Sequence, residues 1–311
     1  MKNEDLETIY VTFLCCTFLK DTLITCGDDG FLYLWEHERI TRRVFAHEGS
    51  VLCMDASDKF GLLASGGTDG TVILWRLRVE ARSHIKSLDK LIYYSIAKYV
   101  DPAKALELAE YNVQSVCIGK NRILIGTRSG NIFEIEISED DQLIKPKQGQ
   151  EIMLKKWIQC IDHETPRNLS IDKTSTRIFT ITAMGMFSIW NLRTFELIYT
   201  REFYKRAKMI YSFKLSNKVM LVFENEIIVL DSDPAVNKFE EMPRFNLKLN
   251  TISDCKVNSN ERILGVATIS ASAPEVSLYY TEDGFTSLKT LYGFKASIRY
   301  LDFSTDNYYL Q

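Results

Sequence analysis

Short apolar runs, separated by turns rich in glycine and aspartate, recur along almost the whole chain. Leu23-Ile24-Thr25-Cys26 enters the turn Gly27-Asp28-Asp29-Gly30 and leaves it as Phe31-Leu32-Tyr33-Leu34-Trp35. Leu63-Ala64-Ser65 enters Gly66-Gly67-Thr68-Asp69-Gly70 and leaves as Thr71-Val72-Ile73-Leu74-Trp75, with Asp69 and Trp75 each 40 positions after Asp29 and Trp35. Asp-Gly supplies the positive-φ positions of a tight turn, so each copy predicts a β-hairpin. Weaker copies follow at Ile123–Ile135, Arg177–Trp190, Val219–Leu230 and Ile263–Tyr280, giving turns near residues 29, 69, 129, 184, 225 and 272. A further apolar strand precedes each hairpin, as in Val51–Met54 and Ser115–Ile118, and an outer one trails most of them, as in Leu197–Thr200. Four strands per repeat, at a period near 40 residues, is the pattern of a propeller blade. The expectation is an all-β propeller of about six and a half four-stranded blades. Residues 1–294 form six of them, and 295–311 begin a further, truncated blade with Ser297–Phe303 as its first strand. A chain stopping in mid-blade leaves an open strand edge, which predicts either a longer polypeptide or a partner that completes it.

One stretch departs from the period. Between Trp75 and Ser115 lie about 20 residues more than a blade requires, and Leu88, Leu91, Ile92 and Ile96 recur at three-to-four spacing. That spacing predicts a short helical insertion near 80–110, with Asp101-Pro102 opening a second turn or helix.

Composition narrows the field. A hydrophobic fraction of 46% with 25% charged residues is that of an ordinary globular protein. No apolar run reaches the length of a membrane helix, and Met1-Lys2-Asn3-Glu4-Asp5 is too acidic to open a signal peptide. The seven cysteines are odd in number and lack a Cys-x-x-Cys, so reduced thiols are expected rather than disulfides or zinc. A net charge of −3 gives no overall electrostatic attraction to nucleic acid.

Candidate chemistry is sparse. The four histidines show no metal spacing, the glycine-rich turns lack the lysine and following helix of a phosphate loop, and no Gly-x-Ser-x-Gly is present. The innermost strands Val51–Met54, Val116–Ile118 and Ile252–Val257 are expected to offer few titratable groups to a central channel. An enzyme is therefore not expected, nor any cofactor or metal. Thr25, Asp29, Trp35, His47, Ser65, Asp69, Trp75 and Trp190 match the loop histidine, strand hydroxyl, turn aspartate and strand tryptophan of WD-type blades, a buried hydrogen-bonded set with a structural role. The second blade has all four members, in His47, Ser65, Asp69 and Trp75. Small basic clusters, Arg42 with Arg43, Lys155 with Lys156, and Lys205 with Arg206, are candidate contacts for an acidic protein surface.

Three segments carry a family resemblance: Thr12–Trp35 with Arg42–Met54, Val113–Ile135, and Ala296–Gln311. They resemble the EMAP-like proteins, named for the echinoderm microtubule-associated protein, which carry two WD-repeat propellers in tandem and associate with tubulin. The resemblance implies that this chain covers later blades of one propeller leading into the next. It implies tubulin, microtubules or other cytoskeletal and axonemal proteins as partners. It also implies a cytoplasmic, cytoskeletal address extending to the cilium or flagellum. The family's N-terminal coiled coil and basic linker have no counterpart in this sequence, which leaves attachment to shape and local contacts. The alternative is a general WD-repeat adaptor in a transport or ubiquitin-ligase complex.

Overall fold

The computed structural model of the protein describes residues 11–36, 39–79, 86–96, 111–120, 122–136, 155–159, 165–233, 239–269, 273–282, 284–304, 306 and 310. Among the described residues, twenty-four strands make six four-stranded antiparallel sheets, and within each sheet the strands pair in chain order. Blade 1 is β1 (Phe13–Leu19), β2 (Thr22–Gly27), β3 (Phe31–Glu36) and β4 (Arg39–Phe45). Blade 2 is β5 (Val51–Ser57), β6 (Leu62–Gly67), β7 (Thr71–Val79) and β8 (Lys86–Ser95). Blade 3 is β9 (Val113–Ile118), β10 (Arg122–Thr127), β11 (Asn131–Glu136) and β12 (Lys155–Gln159). Blade 4 is β13 (Pro166–Ile171), β14 (Arg177–Thr182), β15 (Met186–Asn191) and β16 (Leu197–Glu202). Blade 5 is β17 (Ala207–Ser212), β18 (Lys218–Phe223), β19 (Glu226–Asp231) and β20 (Leu247–Lys248); blade 6 is β21 (Thr251–Val257), β22 (Ile263–Ile269), β23 (Glu275–Tyr280) and β24 (Thr286–Leu291). The molecule is thus an all-β propeller with four-stranded blades.

The predicted hairpins are the middle two strands of each blade. Their turn glycines Gly30, Gly70, Gly130 and Gly185 have φ between 70° and 93°, the region closed to most L-residues. At Gly30 a side chain is excluded on a second count, because a Cβ would lie 2.2 Å from the carbonyl oxygen of His47. These turns lock onto the connection entering the next blade: the amides of Ala46 and His47 donate to Gly30, Ile96 to Gly70, and Phe203 to Gly185.

Each sheet is buried on both faces by its neighbours, so the apolar core lies in the seams between blades. Ile24, Leu32 and Leu34 of blade 1 meet Leu63, Ile73 and Trp75 of blade 2. Ile125 and Phe133 of blade 3 meet Leu62, Val72 and Leu74 of blade 2. Phe179 and Phe187 of blade 4 face Leu221 and Phe223 of blade 5, whose other side joins Ile252, Cys255 and Val266 of blade 6. Two-sided burial explains why the middle strands read as unbroken apolar runs: β6 and β14 are buried at every position, whereas outer strands β4 and β16 are mostly exposed.

The expected helix near 80–110 is corrected by β8, which occupies Lys86–Ser95 as the outer strand of blade 2. Leu74 of β7 pairs with Ile92 and Trp75 with Lys90, so Leu91 is an extra, bulged residue on β8 between them. That extra residue flips the strand's alternation, so Leu88, Leu91, Ile92 and Ile96 fall at spacings that imitate a helix. Asp101-Pro102 lies outside the described residues.

Residues 301–304 lie between blades 6 and 1 and are buried, although they form no regular strand; Phe303 makes a single bridge to Leu310. The Leu301 amide donates to Asp254 on β21 (2.6 Å), and Asp302 accepts the Phe18 amide of β1 (2.8 Å). Similar bonds tie other inner strands: Asp55 of β5 accepts the Ile118 amide of β9 (2.6 Å), and Asn168 and Ser170 of β13 accept the amides of Ile210 and Ser212 on β17.

Seam packing makes Phe187, which is fully buried, a shared element of blades 4 and 5. Phe187→Ala is expected to lower unfolding stability by about 3–5 kcal/mol, read by urea denaturation. A loss below about 1 kcal/mol would show that the seam is not the core.

Candidate functional site

In blade 2 the chain brings the four expected residues into one network. His47 Nε2 lies 2.9 Å from Ser65 Oγ, which also accepts the indole N–H of Trp75 at 2.9 Å. On its other side His47 Nδ1 lies 3.1 Å from Asp69 and 2.8 Å from Thr71 Oγ1. Gly67 permits this, since a Cβ there would sit 2.6 Å from the imidazole. Burial would raise the Asp69 carboxyl, but the His47 hydrogen bond and charge, with donors from Thr71 and the Glu48 amide, outweigh it and hold it at about 2.

Blade 1 reaches the same end without a histidine. The Trp35 indole donates to Thr25 Oγ1 (2.9 Å), while Asp29 accepts from the Tyr33 hydroxyl (2.5 Å) and pairs with Arg43 (3.0 Å). Burial, followed by the Asp29 hydrogen bond, pushes the Tyr33 phenol up to about 12. Arg43 also stacks on Phe31 at 3.6 Å. In blade 4 Trp190 donates to Thr180 Oγ1 at 3.4 Å. Tyr33, Thr71 and Thr180 were not singled out from sequence; a hydroxyl four or two residues after the turn aspartate, or one strand across from the tryptophan, is the signal that marks them.

The inner strands enclose a channel of about 390 Å³, and here the expectation of few titratable groups is wrong. Asp55, Lys214, Lys256 and Asp302 line it. Asp55 follows the apolar run Val51–Met54 by one residue, and Asp254 and Lys256 alternate along β21, so they share one face of that strand. Lys256 pairs with Asp302 at 3.3 Å. Burial lowers the Lys256 ammonium, but Asp302, Asp55 and Asp254 together drive it above its ordinary value. Burial lifts Asp254 to about 6 against the pull of the Leu301 amide and Lys256, and burial likewise raises Asp55. These groups serve one another and the neighbouring backbone. Among the described residues no three His, Cys, Asp or Glu side chains converge as metal donors.

The face that carries the hairpin turns is different in character. Phe45, Tyr93, Met184 and Tyr204 stand exposed on it, Tyr204 at 83% with φ of 52°. Beside Tyr204 a hollow of about 500 Å³ is lined by Lys205, Arg206, Phe223, Lys248 and Leu249 together with Glu224 and Glu226. Lys205 pairs with Glu226, and Arg206 lies 3.8 Å from Glu224. Arg42 is exposed on β4, and Lys155 and Lys156 lie on β12 opposite Glu134 and Phe133.

Residues 39–76, running from β4 through most of blade 2, match the family described as "WD domain, G-beta repeat". The structure is similar to the β-propeller domain of Cps50 (Swd1) from Myceliophteria thermophila, with a TM-score of 0.67 over 93% of this chain and 88% of that one. At 11% identity that likeness is one of fold. The chain thus carries a WD-type repeat over residues 39–76, set within a β-propeller of four-stranded blades.

His47→Ala removes one hydrogen-bond partner each from Asp69, Thr71 and Ser65 and is expected to cost about 1–3 kcal/mol in urea unfolding. Because the folded Asp69 carboxyl sits below its unfolded value of about 3.9, its contribution is complete above that pH and fades as pH falls toward 2. The stability difference between wild type and Asp69→Asn should therefore shrink from pH 5 to pH 2; an unchanged difference contradicts the network.

Proposed function

We propose that this chain is a non-catalytic protein-binding scaffold whose partner is tubulin, free or in the microtubule lattice, at a cytoplasmic or axonemal address. The reading rests first on the hairpin-turn face, where Tyr204 is held exposed in a left-handed backbone conformation beside Met184 and a mixed-charge hollow. Exposed aromatic and long apolar side chains, rimmed by charge, are the composition of binding hot spots. The choice of tubulin rests on the EMAP-like wording of Thr12–Trp35 with Arg42–Met54, Val113–Ile135 and Ala296–Gln311. The channel supports a binding role over catalysis, since its carboxylates are engaged by amides and by Lys256.

A second reading, a general adaptor with other protein partners, is favoured by one feature. Arg43, Lys205 and Arg206 each face a carboxylate of the chain itself, which reduces the pull on an acidic lattice.

Co-sedimentation with stabilised microtubules and capture of free tubulin, at about 50 and 200 mM salt, separate the two. Tubulin binding is expected, reduced at least fivefold by the double variant Met184→Ala with Tyr204→Ala. Absence of association with either form, while purification from cells recovers other complexes, favours the adaptor.

A further inference from the structure

Among the described residues, Cys15 and Cys26 are the one pair of cysteines placed directly opposite each other in neighbouring strands. Cys16 stands opposite Thr25, Cys53 opposite Gly66, Cys117 opposite Leu124, and Cys255 opposite Val266. Residues facing each other across an antiparallel ladder have Cα atoms about 4.5–5.5 Å apart with side chains on the same face. A disulfide spans about 4.4–6.8 Å between Cα atoms, so this pair needs little backbone movement to be joined.

The two thiols are unequal. Cys15 is partly exposed, whereas Cys26 is wholly buried in the seam between blades 1 and 2 and donates to the carbonyl of Val51 at 3.3 Å. The neighbouring Cys26 side chain lowers the Cys15 thiol, and Lys256 and the Met54 amide act in the same direction against the opposing effect of burial. Cys26 is shifted the other way, by the Cys15 hydrogen bond and by burial. One sulfur is thus disposed to attack and the other to resolve.

We infer that Cys15 and Cys26 form a redox-sensitive thiol pair, oxidised by hydroperoxides to a cross-strand disulfide within blade 1. The Cys15 thiolate attacks one oxygen of hydrogen peroxide, the O–O bond breaks, and the departing hydroxide takes up a proton as water. Cys15 then carries a sulfenic acid. The Cys26 sulfur attacks the Cys15 sulfur, the S–O bond breaks, and the oxygen leaves as a second water with the Cys26 proton. Two thiols lose two electrons and two protons, and peroxide gains both. The disulfide removes the Cys26 hydrogen bond to Val51 at the first residue of β5, so the modification acts on the joint between blades 1 and 2.

The test is peptide mapping by mass spectrometry of the full chain after brief treatment with dilute hydrogen peroxide, followed by dithiothreitol. The expected result is a 15–26 linkage that dithiothreitol reverses. Dimedone should label Cys15 in Cys26→Ser and should label neither position in Cys15→Ser, with circular dichroism confirming that each variant is folded. If a variant fails to fold, the wild-type peptide map decides alone. Linkage of Cys15 or Cys26 to Cys53 instead, or both thiols remaining reduced, overturns the assignment.

Discussion

A β-sheet hydrophobic on both faces cannot fold alone, and every other feature of this protein follows from that constraint. Leu221, Val222, Ile228 and Val229 of blade 5 are all buried, yet neighbouring positions along a strand point to opposite faces. Each blade therefore needs a neighbour on either side, and placing sheets side by side until the last meets the first is the arrangement that meets this need. The inner strands are where the blades converge. Their amides, unable to pair across a gap between sheets, donate instead to side-chain oxygens of the adjacent segment: those of Asp55, Asn168, Asp254 and Asp302.

That solution sets what the channel can do. Carboxylates that hold backbone amides and the Lys256 ammonium are fixed by the structure, and moving protons through them would loosen the ring. The proposed contact face is that of the turns, where the backbone is already locked by bonds such as Phe203 to Gly185 and side chains such as Tyr204 stand exposed. Rigidity there lowers the entropy lost on binding.

The hairpins were legible in sequence because Gly30 and Gly70 need positive φ and Trp35 and Trp75 repeat at one spacing, both local signals. The His47 network was legible for the same reason, since its members fall within one repeat. The helix expected near residue 90 failed because a single bulge opposite Leu74 and Trp75 converted a two-residue alternation into a helix-like one. The channel charges were missed because their meaning is non-local: Asp302 acts on Phe18, 284 positions away. Asp55 likewise acts at a distance, on the Ile118 amide of the neighbouring blade.

The central claim is that the inner strands form one closed, mutually braced ring. Hydrogen–deuterium exchange on Asp302→Ala tests it most directly, because that side chain accepts from β1 and pairs with Lys256 of β21. Faster exchange is predicted in β1 and β21 together, with blades 3 and 4 still protected. Exchange that changes only around residue 302 would show that the blades stand independently, contradicting the ring.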